Sequence, residues 1–212
     1  YQGKYVFQSI VSLISILGPF NVNSKRLFGD VGRIIEFSNV AKKQGVLGIE
    51  KMLTVKEKKD PMIFFGVSLL TSGYNGKDVR MMLEDTLEST FQRDMVKADI
   101  LSSMAGFCPA FGMIGTLIGL VIMFEKMGSD ISAIGRGMAL ALLTTLYGVL
   151  ITQLFLKPAS EKVKQRLEIY RFRNLLIMEG LSMIADGKDS LTIQDRLNSY
   201  MDPKVRFKVA QG

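Results

Sequence analysis

The sequence predicts an all-α integral membrane protein in which two transmembrane helices are combined with a helical cytoplasmic domain and a helical tail. Two uncharged runs, at residues 100–124 and 137–156, are long enough to span a bilayer, since about 20 helical residues cross a hydrocarbon core of about 30 Å. The other apolar residues recur at helical spacing, without strand-like alternation of any length. A mean hydropathy of +0.22 beside a net charge of +7 indicates that apolar and basic residues gather in different places.

The first residues of the chain allow two interpretations. Residues 5–20 are apolar but too few for a span, and they contain Gln8 and three serines. This composition is typical of an interfacial or core helix. The segment can equally be the end of an upstream span, and because the chain begins with Tyr1 rather than Met we expect an N-terminal segment to be missing. We therefore describe residues 1–30 as an interfacial helix or the remnant of a preceding span.

Residues 31–98 are expected to form a cytoplasmic helical domain. Apolar side chains recur at helical spacing in runs at 31–40, 62–70 and 78–99. The Asp60-Pro61 pair and the sequence Ser-Gly-Tyr-Asn-Gly at 72–76 are typical breaks between such helices.

A transmembrane hairpin at 99–157 and a cytoplasmic helical tail at 158–212 complete the predicted organisation. The tail is expected to contain a charged helix (161–173), an apolar helix (175–184), a turn at 186–189 and a short helix that ends near Asp202.

Basic residues flank the hairpin on its outer sides, whereas the connection at 125–136 is short and mixed in charge. Basic flanks lie on the cytoplasmic side of a membrane. The sequence therefore places both flanks in the cytoplasm and the short turn outside. The flanking residues are Lys77, Arg80, Arg93, Lys97, Lys157, Lys162, Lys164, Arg166, Arg171 and Arg173.

Several functions are excluded by what the sequence lacks. It has no His, which rules out a His-containing catalytic triad and an HExxH zinc site, and only one Cys, which rules out an intrachain disulfide and a multi-Cys metal site. No Gly-rich phosphate loop or nucleophile elbow occurs, so we predict that the protein is not an enzyme and has no metal or cofactor. A soluble basic module that binds nucleic acid would explain the charge, but the basic residues lie beside the spans, where topology requires them. We therefore expect membrane lipid, and not nucleic acid, as a partner.

Small residues in both spans predict close helix packing. Gly115 and Gly119 form a GxxxG motif, with Gly112 one turn earlier, and the second span carries small residues near one side. Small residues let membrane helices approach each other closely. These small residues can all pack within this hairpin. Alternatively, a face of small residues on each helix can indicate contacts with further helices and hence an assembly. The small residues of the second span are Gly137, Ala141, Thr145, Gly148 and Thr152.

Hydroxyl groups are the polar side chains that stand out in the spans. Thr116, Thr144 and Thr145 can satisfy carbonyl groups of their own helices, or their oxygens can line a cation pathway. Neither span contains Asp, Glu, His, Lys or Arg. Ion pathways through a membrane normally use an ionisable group, so in ion transport a carboxylate would have to come from a partner or from the missing N-terminal part.

Several segments closely resemble the flagellar stator proteins of the MotA/PomA family, within the MotA/TolQ/ExbB proton channel superfamily. Residues 109–121, 137–148 and Pro158 are similar to the last two spans of that family. Residues 41–50 (AKKQGVLGIE) are similar to its cytoplasmic A-R-x-x-G-[IL]-L-x-L-E segment, and residues 178–187 are similar to its M-[ED]-G-[VIL] helix and the following turn. The resemblance extends over residues 30–210 and is greatest to sodium-type, PomA-like members.

The resemblance implies a four-span protein of the bacterial inner membrane, of which the third and fourth spans are evident here. It also implies a homopentamer around a MotB/PomB-type partner that supplies the membrane Asp, and a cytoplasmic domain that faces the rotor protein FliG. Ion flow would then be converted into torque on the rotor. The related TolQ/ExbB-type units, which energise outer-membrane processes, are the alternative, although the segments at 41–50 and 178–187 favour the stator.

Site residues follow from the same resemblance. Lys42 and Glu50 match positions of rotor contact, although the family has Arg where this chain has Lys42, and Lys cannot form the bidentate contact of Arg. Pro109 and Pro158 match prolines that couple conformational change to ion flow; locally, Pro109 should begin a helix or kink one. Thr116 and Thr145 match positions at which sodium-driven members carry Thr, so we expect Na⁺ as the transported ion, with H⁺ as the alternative. Together with Thr144 these threonines form the expected ion pathway, and the expected packing residues are Gly112, Gly115, Gly119, Ala141 and Gly148.

Overall fold

The computed structural model describes residues 24–128, 131–201, 203 and 206. The predicted interfacial segment at 5–20 lies outside these residues. Within them the chain is helical and contains no strand, which confirms the predicted fold class. The helices are α1 (Ser24–Gln44), α2 (Val46–Met52), α3 (Val55–Lys58), α4 (Pro61–Thr71), α5 (Gly76–Glu125), α6 (Ile131–Ile151), α7 (Lys157–Ala185) and α8 (Ser190–Ser199), with a π-helical turn, Thr152–Leu156, between α6 and α7.

The predicted breaks between helices have local causes. The carboxylate of Asp60 accepts hydrogen bonds from the backbone N–H groups of Met62 and Ile63 at 3.1 and 3.4 Å, and Pro61 occupies the first turn of α4. An Asp cap followed by Pro is a strong helix start. Gly73 and Gly187 have φ angles of 81° and 67°, in the left-handed region that side chains disfavour, and each follows a helix end.

Two long helices differ from the expected boundaries. The charged and apolar stretches of the tail form one helix, α7, with Asn174 inside it. Neither Gly nor Pro separates the two stretches, so the backbone can stay helical across the change of polarity. Pro109 lies inside α5 and does not begin a helix, since α5 begins at Gly76. The last helix ends at Ser199, slightly before the expected Asp202.

The chain forms two compact units. Within the described residues, the first is Arg93–Gln165 and is called the hairpin unit here. The second, called the helical domain, combines Asn21–Gln92 with Arg166–Gly212. The predicted boundaries at 98/99 and 157/158 lie six and eight residues inside these divisions and remain predictions.

The core of the helical domain is made of large apolar side chains. Phe37 of α1, Ile49 of α2, Leu83 of α5 and Leu181 of α7 have exposed fractions of 0–1%. Burial of such a side chain contributes about 1.5–3 kcal/mol, so these contacts between helices distant in sequence are the main stabilising term of this unit.

Candidate functional site

The two helices of the hairpin approach each other along a line of glycines. A Cβ added at Gly115 would lie 2.7 Å from the Cβ of Thr144, and one added at Gly119 would lie 2.9 Å from the Cβ of Ala141. A Cβ added at Gly148 would lie 2.8 Å from the carbonyl oxygen of Cys108. These separations leave no room for a side chain, so these glycines are used within the hairpin itself.

Hydroxyl groups join the two helices along the same line. Thr145 donates to the carbonyl of Gly112 at 3.3 Å, Thr152 to that of Ala105 at 3.2 Å, and Ser160 to that of Ala98 at 2.9 Å. The three acceptors are seven residues apart, as expected for two helices that wind around each other. We call these three hydrogen bonds the hydroxyl seam.

The π turn keeps the hydroxyl seam in register. Seven residues separate Thr145 from Thr152, but eight separate Thr152 from Ser160. An eighth residue in a regular α-helix would turn Ser160 away by about 100°. A π turn takes up one additional residue, and Thr152–Leu156 lies between the two hydroxyls. Ser160 therefore faces Ala98 again.

Large apolar side chains cover the outer surface of the hairpin. Phe111, Leu117 and Val121 of α5 and Leu142 of α6 are 63–70% exposed. In the most apolar 18-residue windows only 11% and 17% of the residues are buried. Core helices of soluble proteins hide such residues, so these two helices have the length, composition and exposure of membrane spans.

The structure brings two of the three predicted ion-pathway residues together. The hydroxyls of Thr144 and Thr145 lie 3.4 and 3.3 Å from the carbonyl oxygen of Gly112, and Thr144 also donates to Ala141 at 2.8 Å. Thr116, one turn after Gly112, donates to Met113 within its own helix at 2.6 Å. Each hydroxyl oxygen keeps lone pairs that can accept a hydrogen bond or bind a cation.

The other predicted site residues are divided between the two units. Lys42 and Glu50 are exposed, in the last turn of α1 and in α2. Pro158 is exposed in the first turn of α7, directly after the π turn, and Pro109 is half-buried inside α5. Within the described residues, no group of three His, Cys, Asp or Glu residues could hold a metal ion.

A buried ion cluster, which the sequence analysis did not predict, holds α1, α4 and α7 together. The guanidinium of Arg173 contacts Asp30 through Nε at 2.8 Å and Asp60 through Nη1 at 2.7 Å, with only 10% of the Arg173 side chain exposed. Burial lowers the pKa of Arg173, but the two carboxylates outweigh this effect and raise it above its ordinary value. Arg173 thus stays charged, and Asp60 both caps α4 and binds α7.

Two further carboxylates connect segments of the helical domain that are distant in sequence. The carboxylate of Glu57 accepts a hydrogen bond from Nε of Arg33 at 2.6 Å. Burial alone would raise the pKa of Glu57, but hydrogen bonds from Arg33 and Thr54 leave it below its ordinary value. The hydrogen bond that Arg33 donates to Glu57 is also the largest cause of the raised pKa of Arg33.

Glu179, only 2% exposed, accepts from Arg80 at 2.6 Å and from the hydroxyl of Tyr200 at 2.8 Å. Burial and this bond raise the pKa of Tyr200. In the last helix, Asp189 caps the N-terminus of α8, and its hydrogen bonds with Thr192 lower its pKa.

The sequence of α5 carries a pattern that indicates the hydroxyl seam. Ala98, Ala105, Gly112 and Gly119 recur every seven residues in α5, a period that indicates a continuous packing line. The ion cluster carried no comparable signal, because its members are distant in sequence and charged residues usually lie on the surface.

Comparison with known proteins identifies this architecture. Residues 54–174, more than half of the chain, match the MotA/TolQ/ExbB proton channel family. The chain belongs to this family. The resemblance to MotA/PomA proteins inferred from the sequence motifs is confirmed, and because proteins of this family are channel subunits, so is the prediction that the chain is not an enzyme.

Relatives of this family member include motility proteins. It is 34% identical over 176 residues to the chemotaxis protein PomA of Vibrio alginolyticus, and the aligned region covers 83% of this chain and 68% of PomA. It is 32% identical over 190 residues to motility protein A of Borreliella burgdorferi, which covers 90% of this chain and 72% of that protein.

Solved structures share the fold. C. jejuni MotAB has a TM-score of 0.83 at 19% identity, covering 100% of this chain and 80% of that one. The flagellar MotAB stator complex from Bacillus subtilis has a TM-score of 0.81 at 20% identity, covering 97% and 79%. These similarities show that this chain shares its fold with a chain of each of these two complexes.

Proposed function

We propose that this protein is a stator subunit of the bacterial flagellar motor, which conducts ions together with a MotB/PomB-type partner in the inner membrane and converts their flow into torque. The observation that carries the proposal is a membrane hairpin, in a family of ion channels, with no Asp, Glu, His, Lys or Arg in either span. Conduction then requires a carboxylate from a second chain. The partner is proposed because the similar solved structures are MotAB complexes.

The transported cation is proposed to be Na⁺. The hydroxyl oxygens of Thr144 and Thr145 lie 3.4 and 3.3 Å from the carbonyl oxygen of Gly112. Thr116 lies one helical turn after Gly112. Oxygen atoms of this kind can replace part of the hydration shell of Na⁺. The hydrogen bonds of these hydroxyls are donated, so their lone pairs are available to a cation.

The assembly proposed is a pentamer around the partner, with the helical domain facing FliG. Lys42 and Glu50 are exposed and opposite in charge, as electrostatic contacts that steer a moving partner require. Pro158 directly follows the π turn. Such turns are rare and are frequently found at functional sites, which supports the proposed role of Pro158, with Pro109, in coupling ion flow to movement. The motility relatives favour this function over that of TolQ/ExbB-type units.

The test is swimming speed against external Na⁺ at fixed pH, with the full-length protein and its partner as the only stators. We expect speed to rise with Na⁺, and Thr145→Val to shift the curve to higher Na⁺. Gly106→Ala, at a position with open space around it, is the control. Speed that does not change with Na⁺ would show that the motor is driven by H⁺.

Rotor contact is tested separately by Lys42→Glu, which we expect to reduce torque without reducing ion conduction. Lys77→Glu changes the same charge at an exposed site at the start of α5 and should leave torque unchanged. Equal losses in both variants would argue against a specific contact at Lys42, and absence of motility in a well-expressed wild type would argue against the stator function.

A further inference from the structure

A polar pocket of about 250 Å³ lies beside the π turn, within the hairpin unit. Its floor is the cytoplasmic-side part of the hydroxyl seam, formed by Thr152 and Ser160, whose hydroxyls are buried and already bonded. Its rim carries polar and charged side chains that are exposed. These side chains belong to Ser102, Gln153, Lys157 and Glu161, and Gly106 also lines the pocket.

Lys157 and Glu161 are the two charged groups of this pocket. They lie four residues apart on the same face of α7, yet neither side chain forms a hydrogen bond or an ion pair within the described part of the chain. A cation and an anion one helical turn apart on the rim of one pocket match a ligand that carries both charges.

The position of the pocket at the bilayer boundary restricts that ligand. Lys157 is the first charged residue after the uncharged run 137–156, and Glu161 lies about 6 Å further along the helix. Leu154 and Phe155, in the π turn next to the pocket, are each 62% exposed and present apolar surface to acyl chains. The pocket thus offers apolar surface, then a positive charge, then a negative charge.

A phospholipid with an ethanolamine headgroup has its charges in the complementary order. Its phosphate is joined to the glycerol next to the acyl chains, and its primary ammonium is at the outer end. We propose that this pocket binds phosphatidylethanolamine, with the phosphate at Lys157 and the ammonium at Glu161. The side chains of Ser102 and Gln153 supply neutral hydrogen-bond donors for the phosphate oxygens.

The headgroup distinguishes this lipid from others in the same membrane. Phosphatidylglycerol has the phosphate but no ammonium, so it satisfies Lys157 and leaves Glu161 without a partner. Phosphatidylcholine has a cation but no N–H, so it cannot donate a hydrogen bond to the carboxylate. The pocket should therefore prefer phosphatidylethanolamine to both.

The experiment is native mass spectrometry of the full-length protein with its partner, after delipidation and addition of each lipid at equal concentration. We expect about three- to fivefold higher occupancy of phosphatidylethanolamine than of phosphatidylglycerol, the ratio expected for one partly exposed charge pair. Glu161→Gln should abolish the preference, whereas Lys157→Gln should lower the binding of both lipids. Matched controls are Asp99→Asn and Lys164→Gln, which remove the same charges outside the pocket.

Three results would overturn the proposal. They are equal occupancy of the three lipids by the wild type, a preference that survives in Glu161→Gln, and equal losses in the matched controls. Water-soluble phosphoethanolamine, added as a competitor, should displace little lipid because it lacks acyl chains; efficient competition would show that the pocket binds a free phosphate ester instead of a lipid. None of these results bears on motor function, which is measured by swimming.

Discussion

The hairpin unit and the helical domain arrange the same residue types in opposite ways. In the hairpin, glycines, alanines and hydroxyls face the neighbouring helix, and large apolar side chains such as Phe111 face outward. In the helical domain, large side chains such as Phe37 and Leu83 are buried, and the few buried charges are paired. The surrounding medium explains the difference, because apolar side chains are expelled by water but not by lipid.

The comparison shows that the two units depend on different interactions. The hairpin helices associate by close backbone approach and by hydroxyl groups, which makes register the critical quantity. The helical domain depends on apolar burial and on ion clusters such as that around Arg173, which makes charge balance critical. Each of the following changes tests one side of this contrast, and they are ordered from the largest expected effect to the smallest.

Deletion of single residues tests the importance of register. Deletion of Val149, in α6, should rotate all following residues by about 100°, separate Thr152 and Ser160 from their acceptors and prevent stable folding. Deletion of Leu154, in the π turn, should convert that turn to regular α-helix and retain the hydroxyl seam. The yield of monodisperse protein in detergent measures both. Equal yields from the two deletions would show that the π turn does not set the register.

Removal of Arg173 tests the importance of charge balance. Arg173→Ala leaves Asp30 and Asp60, with side chains 20% and 21% exposed, without their cation, so we expect a loss of about 3–5 kcal/mol in the free energy of unfolding. Arg171→Ala is the control, since Arg171 and Glu88 are 41% and 43% exposed, and should cost about 1 kcal/mol or less. Chemical unfolding in detergent measures both, and similar costs would contradict the role of burial.

A methyl group added at Gly148 tests close approach in the hairpin. The new Cβ would lie 2.8 Å from a backbone oxygen that cannot rotate away, so Gly148→Ala should cost about 1–3 kcal/mol. Gly106→Ala, with nothing within 4 Å, should be neutral or stabilising by up to about 1 kcal/mol through helix propensity. Thermal unfolding of both variants decides the matter; a neutral Gly148→Ala would mean that the helices are less tightly packed.

The dependence of stability on pH tests the carboxylate contacts of the helical domain, since neither uncharged run of the hairpin contains Asp, Glu, His, Lys or Arg. Because the pKa of Glu57 is lowered in the native state, its carboxylate contributes its full stabilisation at pH values above its ordinary pKa of 4.5. This stabilisation is lost as the pH falls through the lowered pKa. Glu57→Gln should therefore cost about 1 kcal/mol at neutral pH and make acid unfolding less steep. Glu84→Gln, at an exposed carboxylate, should change neither, and an unchanged acid transition in Glu57→Gln would count against this mechanism.

Much of the fold could be predicted because its signals are local. The two spans follow from the length of the uncharged runs, and the start of α4 follows from Asp60 and Pro61, whose capping geometry is complete within four residues. The exposed positions of Lys42 and Glu50 agree with their polarity. The continuity of α7 could not be predicted locally, because the polarity changes at Asn174 and Asn is itself a common first residue of a helix; packing of the folded chain keeps it inside one helix.

The sequence by itself determined the helical fold, the membrane spans, the glycines that allow close approach and the absence of Asp, Glu, His, Lys and Arg from the spans. Only the tertiary structure decided which faces those glycines contact, that the π turn keeps Ser160 opposite Ala98, and that Arg173 is buried between Asp30 and Asp60. The physical reason is range. Helix propensity, capping and hydropathy act within a few residues, whereas register and buried charge pairs depend on groups that only the folded chain brings together.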